Sequence, residues 1–435
     1  MMHLRPPARR RRFPLPILVL LGLVACTLLA AFAYQLPFFQ DRVAWRLSLL
    51  RAEIKYFFDP PEDAVFTPNA TVAAMVRATM ASPTPTVTST PTAGPTATPT
   101  RTPTPTITPT TIPASVQLKG VRHEYQKFNN CGPATLSMGL SFWGWQGDQR
   151  DTAEILKPVQ DDKNVMPYEM ADYVIEQTGL GAIVRVGGDI ELLKRLLAAG
   201  FPVLIEKGFE PPGKKWMGHY GLITGYDDAR GRFTVQDSYI MPDLPIPYDE
   251  LEGYWQHFNY LYLVIYPLER KGEVLDLLGP HADETFNFQY AAQKASDDIY
   301  ALSGREQLFA WFNRGTNLMR LQDYAGAAEA FDAYFQLYAG LDPEIRPFRM
   351  LWYQTGPYFA YFYTGRYSDV INLATATLND FIDKPVLEES YYWRALAKEA
   401  MGDIPGAIED LQTSLEYHPG FAPSLTELER LGVTP

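Results

Sequence analysis

A cysteine at the predicted start of a helix is the first feature of this 435-residue chain that could carry out chemistry. Cys131 lies in the stretch NNCGPATL, and Pro133 follows in a position that suits the first turn of a helix. The partial positive charge at a helix N-terminus favours the thiolate, which is the nucleophilic form of cysteine. On these residues alone, a nucleophile and a small buried cysteine are equally good interpretations of Cys131.

A thiol nucleophile needs a base, a group that orients the base, and donors for the oxyanion. Gln126, five residues before the cysteine, offers a side-chain amide as an oxyanion donor. His219 opens the predicted strand GHYGLITGYD, and two glycines on its face leave room for another element or a substrate. Asp237 in FTVQDSY points to the same side as two apolar neighbours, so we expect its inward carboxylate to pair with a histidine.

Other histidines and aspartates compete for these roles. His123 precedes Cys131 on an irregular segment, and His257 in WQHFNY is expected to pack against neighbouring side chains. Asp227 and Asp228 follow the histidine strand and suit a turn. No cluster of side chains shows the spacing of metal ligands, so we expect neither a metal site nor another cofactor.

The elements that would position these residues lie between residues 116 and 270. Helices are predicted for GPATLSMGLSFWGW, PYEMADYVIEQTG and DIELLKRLLAAG, the last two ending at a glycine. Strands are predicted for PVLIEKG, GHYGLITGYD, RFTVQDSY and NYLYLVIYP, which are rich in β-branched and aromatic residues. The sequence therefore predicts a compact α+β domain in this region.

The motifs QKFNNCGPATLSMGLSFWGW, GHYGLITGYDD and VQDSY, in this order, resemble the bacteriocin-processing (double-glycine, C39-like) type of papain-like cysteine peptidase. The resemblance implies a papain-like fold in which a central helix carrying the cysteine packs against an antiparallel sheet, and a peptide or protein substrate. It implies Cys131 as nucleophile, His219 as base, Asp237 as orienting acceptor and Gln126 as oxyanion donor. Papain-like enzymes commonly place the glutamine six residues before the cysteine, whereas here the spacing is five.

Two other functions fit the same residues. A transglutaminase-like acyl transferase would use the same Cys-His-Asp set and pass the acyl group to an amine. A catalytically inactive surface scaffold would use the domain only to bind peptides. The membrane peptidase is the function that we predict, and these two are its alternatives.

The segment 283–435 is predicted to form helical repeats. Three stretches, which begin at WFNRG, WYQTG and YYWRA, share an aromatic residue, a small residue, a turn and a second helix. The third resembles the 34-residue tetratricopeptide pattern, with Ala395, Gly402, Ala407 and Pro419 at its small-residue and closing-proline positions. The resemblance implies an all-α solenoid whose concave surface could present a site for a protein partner, or a plain solenoid without one.

The N-terminal part predicts attachment to a membrane. A basic segment, 1–14, precedes an apolar run, and we assign 15–36 as a transmembrane signal-anchor with a cytoplasmic N-terminus and the bulk of the chain outside. Cleavage after AFA as a secretory signal, and a lipoprotein box ending at Cys26, are alternatives. All three would export the rest of the chain to the cell surface or beyond.

Two further segments connect this anchor to the α+β domain. Residues 37–81 form a juxtamembrane segment that contains an amphipathic helical pattern. Residues 82–115 are rich in Thr and Pro and cannot form a packed core, so a disordered, extended stalk is predicted. The net charge of −12 argues against a nucleic-acid partner, because such proteins present a basic face.

Overall fold

The computed structural model describes residues 23–29, 32, 45–80 and 112–434. Helix α1 (Trp45–Phe58) belongs to one unit. The residues from Asp59 onward, which include helix α2 (Ala70–Met80), form a second compact unit. Within the described ranges, none of the helices combines the length and the apolar character that crossing a bilayer requires. The predicted membrane span and the predicted stalk lie largely outside these ranges.

An antiparallel sheet lies at the centre of the region that was predicted to be α+β. Its order is β2-β7-β3-β4-β5-β6, and a short β1 pairs with β4. The strands are β1 (Ser115–Gln117), β2 (Gly181–Arg185), β3 (Val203–Phe209), β4 (Met217–Asp227), β5 (Arg232–Gln236), β6 (Leu244–Pro247) and β7 (Tyr262–Tyr266).

Helices cover both faces of this sheet. They are α3 (Cys131–Phe142), α4 (Gln149–Leu156), α5 (Pro167–Gln177), α6 (Ile190–Ala198), α7 (Tyr248–Gln256) and α8 (Lys271–Leu278). Alternate side chains of β3 enter different cores: Leu204 packs with α3 and α5, whereas Val203 and Ile205 pack with α6 and α7. Because helices cover both faces of the sheet, every residue of β3 is buried, and burial does not alternate along this strand.

The sequence predicted most of these elements but not all. The four predicted strands correspond to β3, β4, β5 and β7, and the three predicted helices correspond to α3, α5 and α6. Strands β1, β2 and β6 and helices α4, α7 and α8 were not predicted. The start of helix α4 could have been predicted from the spacing of Asp148 and Asp151. Asp148 accepts a hydrogen bond from the backbone N–H of Arg150 and forms a capping box with Asp151.

The C-terminal half is helical, as predicted. Its helices are α9 (Glu284–Ala301), α10 (Gly304–Arg320), α11 (Tyr324–Gly340), α12 (Met350–Tyr353), α13 (Gly356–Tyr363), α14 (Tyr367–Asn379), α15 (Glu388–Ala400), α16 (Ile404–Tyr417) and α17 (Ala422–Arg430). Consecutive helices pack in pairs around an aromatic-rich core. The assignment of these pairs to the tetratricopeptide family stays a prediction.

The helical half packs directly against the sheet region within the second unit. Trp216, at the entry to β4, stacks on Phe258 with ring centroids 5.8 Å apart and lies 5.3 Å from the ring of Phe309 in α10. Two buried amides, Asn259 and Asn317, exchange hydrogen bonds of 2.7 and 3.0 Å across the same boundary. These contacts place the two halves in one continuous core.

Candidate active site

Helix α3 brings Cys131 to the part of β4 that does not pair with β5. β5 begins to pair with β4 only at Leu222, so the preceding residues of β4 have an open side. The first turn of α3 fills it, and the Thr135 hydroxyl donates to the Tyr220 carbonyl over 3.3 Å. Cys131 is the first residue of α3, where helix N–H groups have no partner within the helix. The nucleophile candidate therefore lies beside the histidine strand.

His219 on β4 and Asp237, the residue that follows β5, form a buried pair. The His219 Nε2 atom lies 3.1 Å from Oδ2 of Asp237, and the two residues are 2% and 0% exposed. The other carboxylate oxygen, Oδ1, accepts the backbone N–H groups of Tyr239 and Ile240, each at 2.9 Å. With one oxygen fixed by two backbone donors, the carboxylate can present only its second oxygen to the imidazole. Nδ1 is then the ring nitrogen left to interact with Cys131.

The electrostatic surroundings of Cys131 and His219 favour a thiolate and an imidazolium. Burial by itself would raise the pKa of Cys131, but the interaction with His219 and the backbone N–H groups of Tyr220 and Gly132 outweigh burial and lower that pKa. Burial would lower the pKa of His219, yet the charge and hydrogen bond of Asp237, together with Cys131, raise it. The pKa of Asp237 is held well below its usual range: burial opposes the shift, but His219 and Lys207 produce it.

Gln126 lies next to this group through Ser238, the residue after Asp237. The Gln126 backbone N–H donates to the Ser238 carbonyl over 2.8 Å, and the Ser238 hydroxyl donates to Gln126 Oε1 over 2.9 Å. Because Oε1 accepts from Ser238, the amide nitrogen is the end of the side chain that remains to donate elsewhere. All four residues singled out from the sequence are thus brought to one region.

Residues 110–262 match the Peptidase_C39 like family. No curated protein matches the chain.

Three solved structures are each similar to part of this chain. A putative C39-like peptidase from Bacillus anthracis is 17% identical, with a TM-score of 0.29, and the match covers 35% of this chain and 96% of that one. A double-glycine motif protease from an AMS/PCAT transporter, in complex with the leader peptide, is 18% identical, with a TM-score of 0.27 and coverages of 35% and 94%. Xylellain, a cysteine protease from Xylella fastidiosa, is 14% identical, with a TM-score of 0.29 and coverages of 47% and 92%.

Aromatic side chains enclose the histidine of the C39-like segment. Phe209 stacks on His219, with ring centroids 4.6 Å apart and planes 23° apart, and Tyr239 approaches His219 edge-on at 6.5 Å. Phe209 and Tyr239 also line a cavity of about 450 Å³, whose wall carries the buried amine of Lys207 and the carboxylate of Glu250. The wall of this cavity therefore includes two side chains that hold the imidazole in place.

Sequence reasoning missed three side chains near Cys131. Glu206 on β3 is 2% exposed, its Oε1 has no hydrogen-bond partner, and burial and the charge of Cys131 raise its pKa. The Lys157 ammonium donates to the carbonyls of Phe128 and Asn129, in the turn before the cysteine, at 3.2 and 3.0 Å.

The third missed side chain comes from the helical half. Tyr353 covers Gly218, the residue before the histidine, so that an added Cβ there would meet the Tyr353 ring at 3.1 Å. Of these three side chains, Glu206 could have been singled out from the sequence, because it is a charged residue inside a strand that is otherwise largely apolar. The contacts of Lys157 and Tyr353 depend on distant parts of the chain.

The competing histidines have other roles in the packing. His123 lies edge-on to Tyr125, with ring centroids 4.9 Å apart. His257 is 1% exposed; its Nδ1 accepts from Trp216 Nε1 at 3.0 Å, and its Nε2 lies 2.6 Å from Glu306 Oε2. Since Nδ1 accepts a hydrogen bond, this ring is neutral and donates from Nε2. His257 thus packs, as predicted.

Proposed function

We propose that the C39-like segment is a cysteine peptidase that hydrolyses peptide bonds. Cys131 as the thiolate attacks the carbonyl carbon, and His219 takes the thiol proton and later gives it to the leaving amine. Asp237 holds the imidazole through Nε2, and Gln126 with the Cys131 backbone N–H stabilises the oxyanion. The observation that carries the proposal is the buried 3.1 Å contact between His219 and Asp237, beside a cysteine at a helix N-terminus.

The proposal extends to where the peptidase acts. The apolar run after the N-terminal arginines favours a single membrane anchor with the peptidase on the outer side, tethered by the Thr/Pro-rich stalk. A secreted or lipid-anchored protein would present the same domain at or beyond the cell surface. The helical half is proposed to bind a protein partner on its repeats.

A comparison of variants tests the catalytic roles. We expect Cys131→Ala to abolish both the reaction with iodoacetamide at this site and the cleavage of a peptide library followed by mass spectrometry. Gln126→Ala should keep the alkylation rate, because it leaves the thiolate intact, but should lower peptide cleavage about 100- to 1,000-fold. Gln146→Ala, an exposed glutamine whose amide donates only to the Gly144 carbonyl among the described contacts, serves as control.

Two results would overturn the proposal. Cleavage that is unchanged in Cys131→Ala would remove the nucleophile. Formation of an amide with an added amine, in place of hydrolysis, would reassign the site to acyl transfer.

A further inference from the structure

Three potential metal ligands meet where the C39-like segment joins the helical half. Asp162 lies in the loop between α4 and α5, Glu388 begins α15, and His418 follows α16. One ligand atom from each lies within 4.8 Å of the other two. Asp162 and Glu388 are only 3% and 4% exposed. Acidic side chains are rarely buried to this extent without a compensating positive charge.

The hydrogen bonds in this cluster leave a carboxylate oxygen unsatisfied. His418 Nδ1 lies 2.7 Å from Glu388 Oε1, but the second oxygen of Glu388, Oε2, is buried and has no hydrogen-bond partner. Asp162 accepts the backbone N–H of Asn164 at 3.2 Å. A buried carboxylate oxygen without a donor is costly, because it has lost water and gained nothing in return.

The nearby lysine does not supply the missing donor. The three N–H groups of the Lys157 ammonium are used by the carbonyls of Phe128, Asn129 and Gln160, at 3.2, 3.0 and 2.9 Å. A third carboxylate, Glu169, accepts the backbone N–H of Met166 at 2.7 Å. None of these described donors reaches Glu388 Oε2, which is left buried without a hydrogen-bond partner.

We propose that Asp162, Glu388 and His418 bind a Zn²⁺ ion. One imidazole nitrogen with two carboxylate oxygens is a donor set that suits zinc, at metal–ligand distances of about 2.0–2.2 Å. Two carboxylates balance the charge of the ion, and Glu388 Oε2 gains the positive partner that it lacks. His418 binds in the neutral form, so the proton that it shares with Glu388 is released to solvent on binding. Water takes the fourth position.

The site would fasten the helical half to a loop that supports the cysteine. Other contacts of the same loop cross the same boundary, including the ion pair between Lys163 and Asp383 at 3.7 Å and the one between Lys384 and Asp161. Lys157, at the start of the loop, holds the turn before Cys131 through its carbonyl contacts. Zinc binding is thus expected to stabilise the connection between the two halves, independently of any catalytic activity.

Zinc titration of the full chain tests this site. The protein is stripped with a chelator, and Zn²⁺ is added while heat release and bound metal are measured. We expect one equivalent of zinc, a rise in Tm on binding, and release of protons. Glu388→Gln keeps the shape of the side chain but removes its charge, and it should weaken binding at least about 100-fold. Glu427→Gln, which loses an exposed ion pair with Arg430, is the matched control and should bind as the wild type does.

A second measurement does not depend on a variant folding. Co²⁺ in place of Zn²⁺ on the wild-type chain should give the intense visible bands of a four-coordinate site. His418→Gln should remove these bands and the Tm rise while circular dichroism stays native. Absence of zinc binding to the wild type, or equal binding by wild type and the Glu388→Gln and His418→Gln variants, would overturn the proposal.

Discussion

Replacing Asp237 by Asn probes the central contact of the proposed triad. Oδ1 of Asp237 accepts two backbone N–H groups, so an Asn in the same place keeps its carbonyl oxygen there and turns its NH₂ group toward His219. An NH₂ group cannot accept the Nε2 proton, so the imidazolium loses its partner and the neutral ring is forced to carry its proton on Nδ1. That nitrogen is the one that must take the proton of the Cys131 thiol.

The size of the effect follows from the contact that is lost. A hydrogen bond to a charged group contributes about 1.5–3 kcal/mol, which is about 10- to 150-fold in the population of the ion pair. An upper limit comes from the thiol itself: with an ordinary pKa of 9.0, only about 1% is thiolate at pH 7. We therefore expect the alkylation of Cys131 at pH 7 to slow about 10- to 100-fold in Asp237→Asn.

The assay is the second-order rate of iodoacetamide labelling of Cys131 as a function of pH, which needs no substrate. The wild-type profile should rise at a pH below that of an ordinary thiol, and the variant profile should move to higher pH. Asp243→Asn is the matched control. Asp243 is close in sequence, and Asn tolerates its φ of 50°. Within the described part of the chain, the hydrogen bonds of Asp243 are with Gln236 and not with His219. If the Asp237→Asn profile coincides with that of the wild type while the fold is retained, Asp237 does not hold the imidazolium and the reasoning is refuted.

Two further predictions concern packing and protonation in the same unit. In Gly218→Ala the new Cβ would lie 2.7 Å from the Phe258 ring, so we expect the free energy of unfolding to fall by about 1–3 kcal/mol and the Tm to drop. Gly253→Ala, which places its Cβ in open space, is the control and should not lower the Tm. Equal Tm values in the two variants would contradict this prediction. Burial lowers the pKa of His257, whose Nε2 donates to Glu306. The contribution of His257 to the free energy of unfolding is therefore full above pH 6.5, the ordinary pKa of histidine, and declines as the pH falls below that value. The free energy of unfolding in urea should then fall less on acidification in His257→Gln than in the wild type, and an equal fall in both would show that His257 does not titrate as described.

Local patterns in the sequence were enough to predict the helix that begins at Cys131 and the strands that carry His219 and precede Asp237. These predictions succeeded because helix starts and strand alternation depend on neighbouring residues. Strand β2, in contrast, consists of five residues and forms by pairing with β7, which lies much later in the chain. Its sequence, GAIVR, has no aromatic residue and no alternation of apolar and polar residues, so the local pattern did not separate it from a loop.

The side chains that surround the candidate site were beyond the reach of sequence patterns. Tyr353 covers the entry to the histidine strand, and Glu388 faces Asp162, although each lies far along the chain from its neighbour. The sequence alone determined which residues have the chemistry of a thiol nucleophile, a base and an acceptor, because those properties belong to residue types and short spacings. Only the tertiary structure decided which of them meet, because burial and contact distances depend on how segments that are distant in sequence pack against one another.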